Sequence, residues 1–277
     1  MTTHRGRPIV VGVDGSQSAI QAARWAIDEA INRDVPLRLV HVTHEAVQPA
    51  TLASADNERL ALEYGENALR LAHEAVAASG KSVKVETTIL RGNPTVALAT
   101  ESHDADMICV GSVGIGRLSP AVPGSTAAEL AKSAQCPVAI VRTRRTPLKP
   151  DNDWIAVPIN DSPDNDDVVA QAMDEAQLRH AGVLALGVGR TDLGETPYDQ
   201  LDKRVQAWRR RYPDVDVCPI STRSGVASFL ADNDERIQLA VIGSSDADQV
   251  VELIGPHTHP IHQHAEFSVA LVVRTRN

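Results

Sequence analysis

The chain has 277 residues, about twice the usual size of a domain, so its length predicts two domains. Apolar residues make up 43% of the chain but aromatic residues only 3%, which favours parallel strands of Val, Ile, Leu and Ala covered by helices over a β-sandwich. The formal net charge of −9 argues against nucleic acid or an anionic membrane as a partner.

The cysteines and the amino terminus indicate the compartment. Cys109, Cys136 and Cys218 are far apart and form no C-x-x-C pair, which is typical of free thiols in a reducing environment. No stretch approaches the ~18 apolar residues of a membrane span. Residues 1–8 are polar and lead directly into a predicted strand, which is unlike a signal peptide. We therefore expect a cytoplasmic protein without a membrane segment.

The first half of the chain alternates strand patterns with helix patterns. The predicted strands are short apolar or alternating runs at residues 9–13, 37–42, 83–89, 107–110 and 137–141. Ser16 can cap a first helix, residues 60–77 form a second, Asn93 followed by Pro94 starts a third, and a fourth begins near Ala127. Repeated β-α units with short crossovers predict a parallel, doubly wound, Rossmann-like α/β sheet.

An internal repeat extends this prediction to the whole chain. A shift of 146 positions lays residues 9–16 over 155–162, and a shift of 132 lays residues 108–112 over 240–244. The offset falls from 146 to 132, so the second copy is 14 residues shorter, and the missing part corresponds to the polar stretch 43–66. The sequence thus predicts two tandem α/β domains, 1–146 and 153–277, joined by a linker rich in proline and charge.

Two segments of the first copy follow strands, where ligands of such sheets bind. The first is Gly12-Val13-Asp14, in which the Asp14 carboxylate can accept hydrogen bonds from a ribose hydroxyl. The alternative is that Asp14 is an ordinary turn or cap residue.

The second segment is a glycine-rich loop that leaves the fourth strand and enters a helix. Gly111, Gly114 and Gly124 allow backbone amides to approach an anion, and the helix start with Ser125 and Thr126 adds further donors. This loop is neither a Walker motif nor a Rossmann fingerprint. The alternative is a plain glycine-rich turn, in which Thr126 and Glu129 form a capping box for their own helix.

These motifs together carry a resemblance. Gly111-x-x-Gly114, nine residues and Gly124-Ser125, with Val-Gly-Val-Asp-Gly-Ser at 11–16 and Cys-Pro-Val at 136–138, resemble the universal stress protein family in its tandem form. The match is to the ATP-binding branch, with its adenine nucleotide alpha hydrolase-like fold.

The resemblance implies a ligand and its contacts. It implies ATP, with or without Mg, and it implies dimers through edge strands, either between chains or between the two halves of one chain. It places adenosine at Gly12, Val13 and Asp14 and adenine at the main chain of Val42. It implies contacts with ribose and phosphates at the remaining predicted positions, which are Gly111, Gly114, Gly124, Ser125 and Thr126.

The second copy lacks these features. Asn160 stands where the first copy has Asp14, Pro158 stands where it has Gly12, and Asp246 replaces the second glycine of the loop. Pro256 removes an amide donor after Gly255. We expect no nucleotide there, and a role as scaffold or as docking site for a protein partner.

The degenerate loop also holds His257, His259, His262 and His264, which raises the alternative of a zinc site. No cysteine accompanies them, and prolines interrupt the segment. Drift of a loop released from phosphate binding explains these histidines more simply.

Three classes of function are compatible with these features. The first is a nucleotide-dependent regulatory or stress-response protein that is not an enzyme and acts on a protein partner the sequence does not identify. The second is a slow ATPase, which needs a base, a metal-holding carboxylate and a cation at the γ-phosphate, for which Arg117 is the candidate. The third is an interaction scaffold that binds nucleotide in neither half.

Overall fold

The structure is a computed structural model that describes residues 6–43, 52–114, 124–142, 154–188, 197–222, 229, 237–244 and 269–274. The chain divides into two compact units, Met1–Thr143 and Arg144–Asn277. The predicted linker at 147–152 lies outside the described residues.

The first unit is a parallel sheet with helices between its strands. Its strands are β1 (Ile9–Gly12), β2 (Leu37–Thr43), β3 (Val85–Arg91), β4 (Met107–Gly111) and β5 (Val138–Val141). Its helices are α1 (Gln17–Asn32), α2 (Leu52–Ala77), α3 (Pro94–Glu101) and α4 (Ser125–Ser133). The strand order is β3-β2-β1-β4-β5, and every pair is parallel. The chain therefore winds outward in both directions from β1, which leaves a crevice between the carboxyl ends of β1 and β4.

The second unit repeats this topology. Its strands are β6 (Trp154–Ile159), β7 (Gly182–Val188), β8 (Val217–Thr222), β9 (Ile237–Gly243) and β10 (Val269–Val273). Its helices in the described residues are α5 (Asn165–Arg179) and α6 (Pro197–Arg211). The strand order is β8-β7-β6-β9-β10, again parallel. The prediction of two tandem doubly wound α/β folds is confirmed.

The core of the first unit is aliphatic, as its composition predicts. Ile9, Val10 and Val11 of β1 are fully buried, and each contributes about 1.5–3 kcal/mol by leaving water. The helix α1 covers them with a row of small side chains, which includes Ala22, Ala23 and Ala26. This row brings the helix close to the sheet.

The helix starts follow the predicted signals where a polar cap is present. Ser16 accepts a hydrogen bond from the Ala19 amide at 3.1 Å, and Asn93 accepts one from the Thr95 amide at 2.9 Å. Two element starts differ from the prediction. The helix α2 begins at Leu52 rather than at residue 60; the prediction missed its first two turns because they carry no apolar periodicity. The strand β3 begins at Val85 rather than at residue 83.

One ion pair recurs at the same place in both units. Glu29 pairs with Arg33 on α1, and Glu175 pairs with Arg179 on α5. Both carboxylates are buried, which is tolerated only when a charge or donors compensate for lost water. The pair is thus a feature of the repeated fold.

Two further sequence expectations concern the thiols and the membrane. Cys109 and Cys136 are buried and form no disulfide, whereas Cys218 on β8 is partly exposed. Within the described ranges, none of the helices combines the length and the apolar character needed to cross a membrane.

Candidate functional site

A cavity of about 550 Å³ opens at the carboxyl ends of β1, β2 and β4 in the first unit. Its volume is typical of sites that take a small organic ligand. The cavity is lined by every residue that the sequence marked as a contact: Gly12, Val13, Asp14, Val42, Gly111, Gly114, Gly124, Ser125 and Thr126. The fold therefore brings together positions that are more than a hundred residues apart in sequence.

Asp14 has two different environments at its two carboxylate oxygens. Oδ1 accepts a hydrogen bond from the Ser16 amide at 2.9 Å, which closes an Asx turn between β1 and α1. Oδ2 lies on the side of Gly114, where an added Cβ would be 2.8 Å away. The reading of Asp14 as a turn residue is therefore correct for one oxygen, while the other faces the glycine-rich loop.

Glycine is present at three positions around the cavity for different structural reasons. A Cβ on Gly111 would lie 2.5 Å from Ser18 Oγ and 2.7 Å from the Ala19 amide, so this residue allows α1 to pack on β4. A Cβ on Gly114 would collide with Asp14, whereas a Cβ on Gly124 would make only an ordinary contact, 3.5 Å from the Ser112 carbonyl. Helix packing alone accounts for Gly111, and the fold itself does not require a glycine at Gly124.

The start of α4 presents uncapped backbone donors to the cavity. The helix begins at Ser125 with Gly124 as its N-cap, and no side chain caps it. The alternative of a capping box formed by Thr126 and Glu129 is wrong, because Gly124 takes the cap position and Thr126 falls within the first turn. The Gly124 amide donates to the Ser112 carbonyl at 2.8 Å and so ties the helix start to the end of β4. Such a helix start attracts anions through its amides and its dipole.

Two aromatic side chains that sequence reasoning missed close another wall of the cavity. His41 Nδ1 lies 2.7 Å from the Val13 carbonyl, and Tyr64 donates its hydroxyl to the Asp14 carbonyl at 2.8 Å. Their ring centroids are 5.9 Å apart, with a tilt of 58° between the rings. Partial burial, and then the negative charge of Asp14, raises the pKa of Tyr64 above its usual value, so the phenol remains a neutral donor.

One signal in the sequence points to this wall. Gly65 lies inside α2, where glycine costs about 1 kcal/mol relative to alanine and so indicates a close packing contact. A Cβ at this position would lie 2.6 Å from His41 Cδ2. Gly65 therefore lets the imidazole of His41 lie against the helix.

The corresponding edge of the second unit keeps the turn. Asn160 Oδ1 accepts a hydrogen bond from the Ser162 amide at 2.9 Å, as Asp14 does from Ser16. Arg204 of α6 donates to the Asn160 carbonyl and, at 2.9 Å, to Asn165 Oδ1. It thus contacts the carbonyl that corresponds to the one bound by Tyr64.

The space beside that turn is filled differently in the two units. The contacts of Tyr64 and Arg204 align α2 with α6 at an offset of 140 residues, 204 minus 64, which places Leu201 at the position of Ala61. Leu201 packs on Gly187, where an added Cβ would lie 2.8 Å from its Cδ2. Ala61 lines the cavity of the first unit. A leucine in the second unit thus takes the place of a small cavity-lining residue.

Several predicted residues lie outside the described part of the chain. They are Arg117 in the first unit and, in the second, Asp246, Gly255, Pro256, His257, His259, His262 and His264. Among the residues that are described, no group of three or more His, Cys, Asp or Glu side chains is arranged to hold a metal ion.

Comparison with known proteins identifies the family. The sequence model of the universal stress protein family matches residues 6–142. Universal stress protein Rv2624c of Mycobacterium tuberculosis is 50% identical over 274 residues, which cover 98% of this chain and 99% of that protein. Universal stress protein Rv2028c of the same organism is 38% identical over 275 residues, covering 98% and 97%.

A solved structure shows that the likeness extends to the fold of the whole chain. A universal stress protein from Archaeoglobus fulgidus superposes with a TM-score of 0.69 at 16% identity, over 97% of this chain and 96% of that one. The chain therefore belongs to the universal stress protein family, in its tandem two-domain form.

Proposed function

We propose that the first unit binds an adenine nucleotide and that this nucleotide is ATP. We propose also that the protein is cytoplasmic and is a nucleotide-dependent regulator of the stress response. The observation that carries this proposal is the convergence of Asp14 and the uncapped start of α4 on one cavity of about 550 Å³. A carboxylate suits ribose hydroxyls and a helix start suits phosphates. The lack of a disulfide at Cys109 and Cys136 accords with a reducing compartment.

The described residues of the cavity offer few ligands to a metal ion. Mg²⁺ takes oxygen ligands in octahedral geometry and usually shares one or two carboxylates with the phosphates of its nucleotide. Asp14 is the one carboxylate among the described cavity residues, and its Oδ1 already accepts the Ser16 amide. Magnesium that arrives with ATP would thus be held chiefly by the phosphates and by the hydroxyls of Ser125 and Thr126.

The second candidate function is hydrolysis of the nucleotide. Phosphoryl transfer requires a cation at the γ-phosphate, a metal-holding acid and a residue that orients the attacking group. The described residues around the cavity include no Lys or Arg, and Arg117, the candidate for this cation, lies outside the described residues. We propose that the nucleotide changes the surface offered to a partner protein, and that turnover is not the function.

We propose further that the second unit binds no nucleotide and serves as a scaffold or docking domain. Two contacts support this: Leu201 packs on Gly187, and Arg204 binds the carbonyl at the turn. We propose that these two side chains leave no room for a nucleotide beside the turn.

The decisive experiment releases and identifies the ligand. Purified protein is denatured, and the supernatant is analysed by mass spectrometry; we expect an adenine nucleotide, at no more than one per chain. Isothermal titration calorimetry of nucleotide-free protein with ATP then measures affinity, and phosphate release is followed in parallel.

A matched pair of variants gives this experiment its control. Asp14→Ala and Asn160→Ala each remove the side chain that closes the same turn, one in each unit. We expect only Asp14→Ala to weaken ATP binding. No released nucleotide together with no heat at millimolar ATP would rule out the proposed function, and steady phosphate release abolished by Asp14→Ala would establish the ATPase instead.

A further inference from the structure

We infer that Tyr64 is a base-positioning residue: with His41 it forms an aromatic corner on which the base of the bound nucleotide stacks. This inference rests on the proposed nucleotide site and adds to it. Neither residue belongs to the glycine-rich loop or to the Asp14 segment.

Consecutive backbone carbonyls hold the corner in place. The Val13 carbonyl accepts from His41 of β2, and the Asp14 carbonyl accepts from Tyr64 of α2. Carbonyl groups at the end of a strand need donors once they are shielded from water. Two side chains from different elements meet this need here, so both rings are fixed before any ligand arrives.

Small residues of α2 make room beside the corner. Gly65 admits the His41 ring, since a Cβ there would lie 2.6 Å from Cδ2. Ala61, one turn earlier, lines the cavity. The second unit has Leu201 at the position of Ala61 and Gly187 at the position of His41, so there a side chain of α6 fills the space and no ring projects from the strand.

The orientation of the rings indicates where a base can lie. The two rings are tilted by 58° with their centroids 5.9 Å apart, so no base fits between them. Tyr64 remains 46% exposed although its hydroxyl is hydrogen-bonded. Its outer face is therefore the open part of the corner, beside the strand end where Val42 lines the same cavity.

Stacking on this face would contribute to the affinity for any base, regardless of which hydrogen-bonding groups its edge carries. Removing an aromatic side chain that stacks on a base commonly weakens binding by about 5- to 150-fold. Tyr64 thus determines that a planar base is bound, and the groups that read the edge of the base must lie elsewhere, such as the main chain at Val42.

Calorimetry with three variants tests the first consequence. We expect Tyr64→Leu to weaken ATP binding at least about tenfold. Tyr64→Phe keeps the ring but loses the hydroxyl, so we expect its ATP affinity to fall only about two- to fivefold. Leu60→Ala is the control, because Leu60 is an exposed apolar residue of α2 that does not line the cavity. We expect this control to bind ATP as the unaltered protein does.

Fluorescence tests stacking itself, which a purely structural role of Tyr64 would not affect. The fluorescence of 2-aminopurine riboside triphosphate is quenched when its base stacks. This fluorescence is measured at saturating protein. We expect quenching with the unaltered protein and with Tyr64→Phe, and its loss with Tyr64→Leu.

The outcomes separate the two proposals. ATP affinity or quenching that is equal in Tyr64→Leu and the unaltered protein would overturn the role of Tyr64 and leave the nucleotide site standing. Failure of the unaltered protein to bind either ATP or the probe at millimolar concentration would overturn the nucleotide site and, with it, this inference.

Discussion

The two units have the same strand order and the same turn at the end of their first strand, but they fill the space above that turn differently. Asp14 and Asn160 accept equivalent amide hydrogen bonds. Above them, the first unit has Ala61 and an aromatic corner, whereas the second has Leu201 and Arg204. The comparison shows that backbone hydrogen bonding preserves the turn, while the side chains beside it differ in size and charge.

The largest effect is expected from transferring the filling residue into the first unit. Ala61→Leu places the leucine of the second unit into the cavity, where a larger side chain would occupy the space of the ligand. We expect ATP affinity to fall by at least about 100-fold, which corresponds to about 2.7 kcal/mol. Calorimetry measures the affinity, and circular dichroism confirms that the variant is folded.

An exposed alanine of the same helix provides the control for this variant. Ala77→Leu makes the same change at the last residue of α2, which is exposed and does not line the cavity. This control should leave ATP binding unaltered. If the ATP affinity of Ala61→Leu were within tenfold of that of the unaltered protein, the size of the side chain at this position would not explain why only the first unit is proposed to bind nucleotide.

The reverse change in the second unit should cost stability and restore no binding. Leu201 is buried and packs on Gly187, so Leu201→Ala removes packing worth about 2–5 kcal/mol. Native-state hydrogen exchange should show this loss in the amides of β7. Titration should still give one ATP per chain, because Arg204 stays at the turn. A second equivalent of bound ATP would show that Leu201 alone keeps the second unit empty.

The smallest effect is expected where the two units are most alike. Asp14→Asn copies the residue of the second unit, and Asn160 shows that an amide oxygen closes the same turn. We expect an unaltered unfolding temperature but an ATP affinity about fivefold weaker, because hydrogen bonds to a charged acceptor are stronger by about 1 kcal/mol. A thermal melt and calorimetry check the two halves of this prediction. A lower unfolding temperature would mean that the charge of Asp14 also supports the fold.

Much of the fold was predictable because its signals are local. The β-branched runs mark the strands, and Ser16 and Asn93 form the predicted helix caps. The internal repeat then predicted the fold of the second unit. The early start of α2 was not predictable, because its first turns lack the apolar periodicity on which the prediction depends.

The lining of the cavity was predictable where residues are adjacent in sequence and less so where they meet only in space. The glycine spacing located Gly111 correctly at the cavity, but its packing against Ser18 could not be read from it. The pattern of Thr126 and Glu129 suggested a capping box, but Gly124 occupies the N-cap position instead. Tyr64 was missed because its contact is with Asp14, which lies far from it along the chain.

The donor to the carbonyl above the turn has a consequence for engineering a second site. In the second unit that carbonyl belongs to Asn160, and Arg204 supplies its hydrogen bond. Truncating Arg204 to open the crevice would leave the carbonyl without this donor, with a loss of about 1–3 kcal/mol where water cannot reach it. A design that grafts nucleotide binding onto this unit should therefore introduce a tyrosine at position 204 together with a smaller residue at position 201, so that the donor and the vacated volume are supplied in one step.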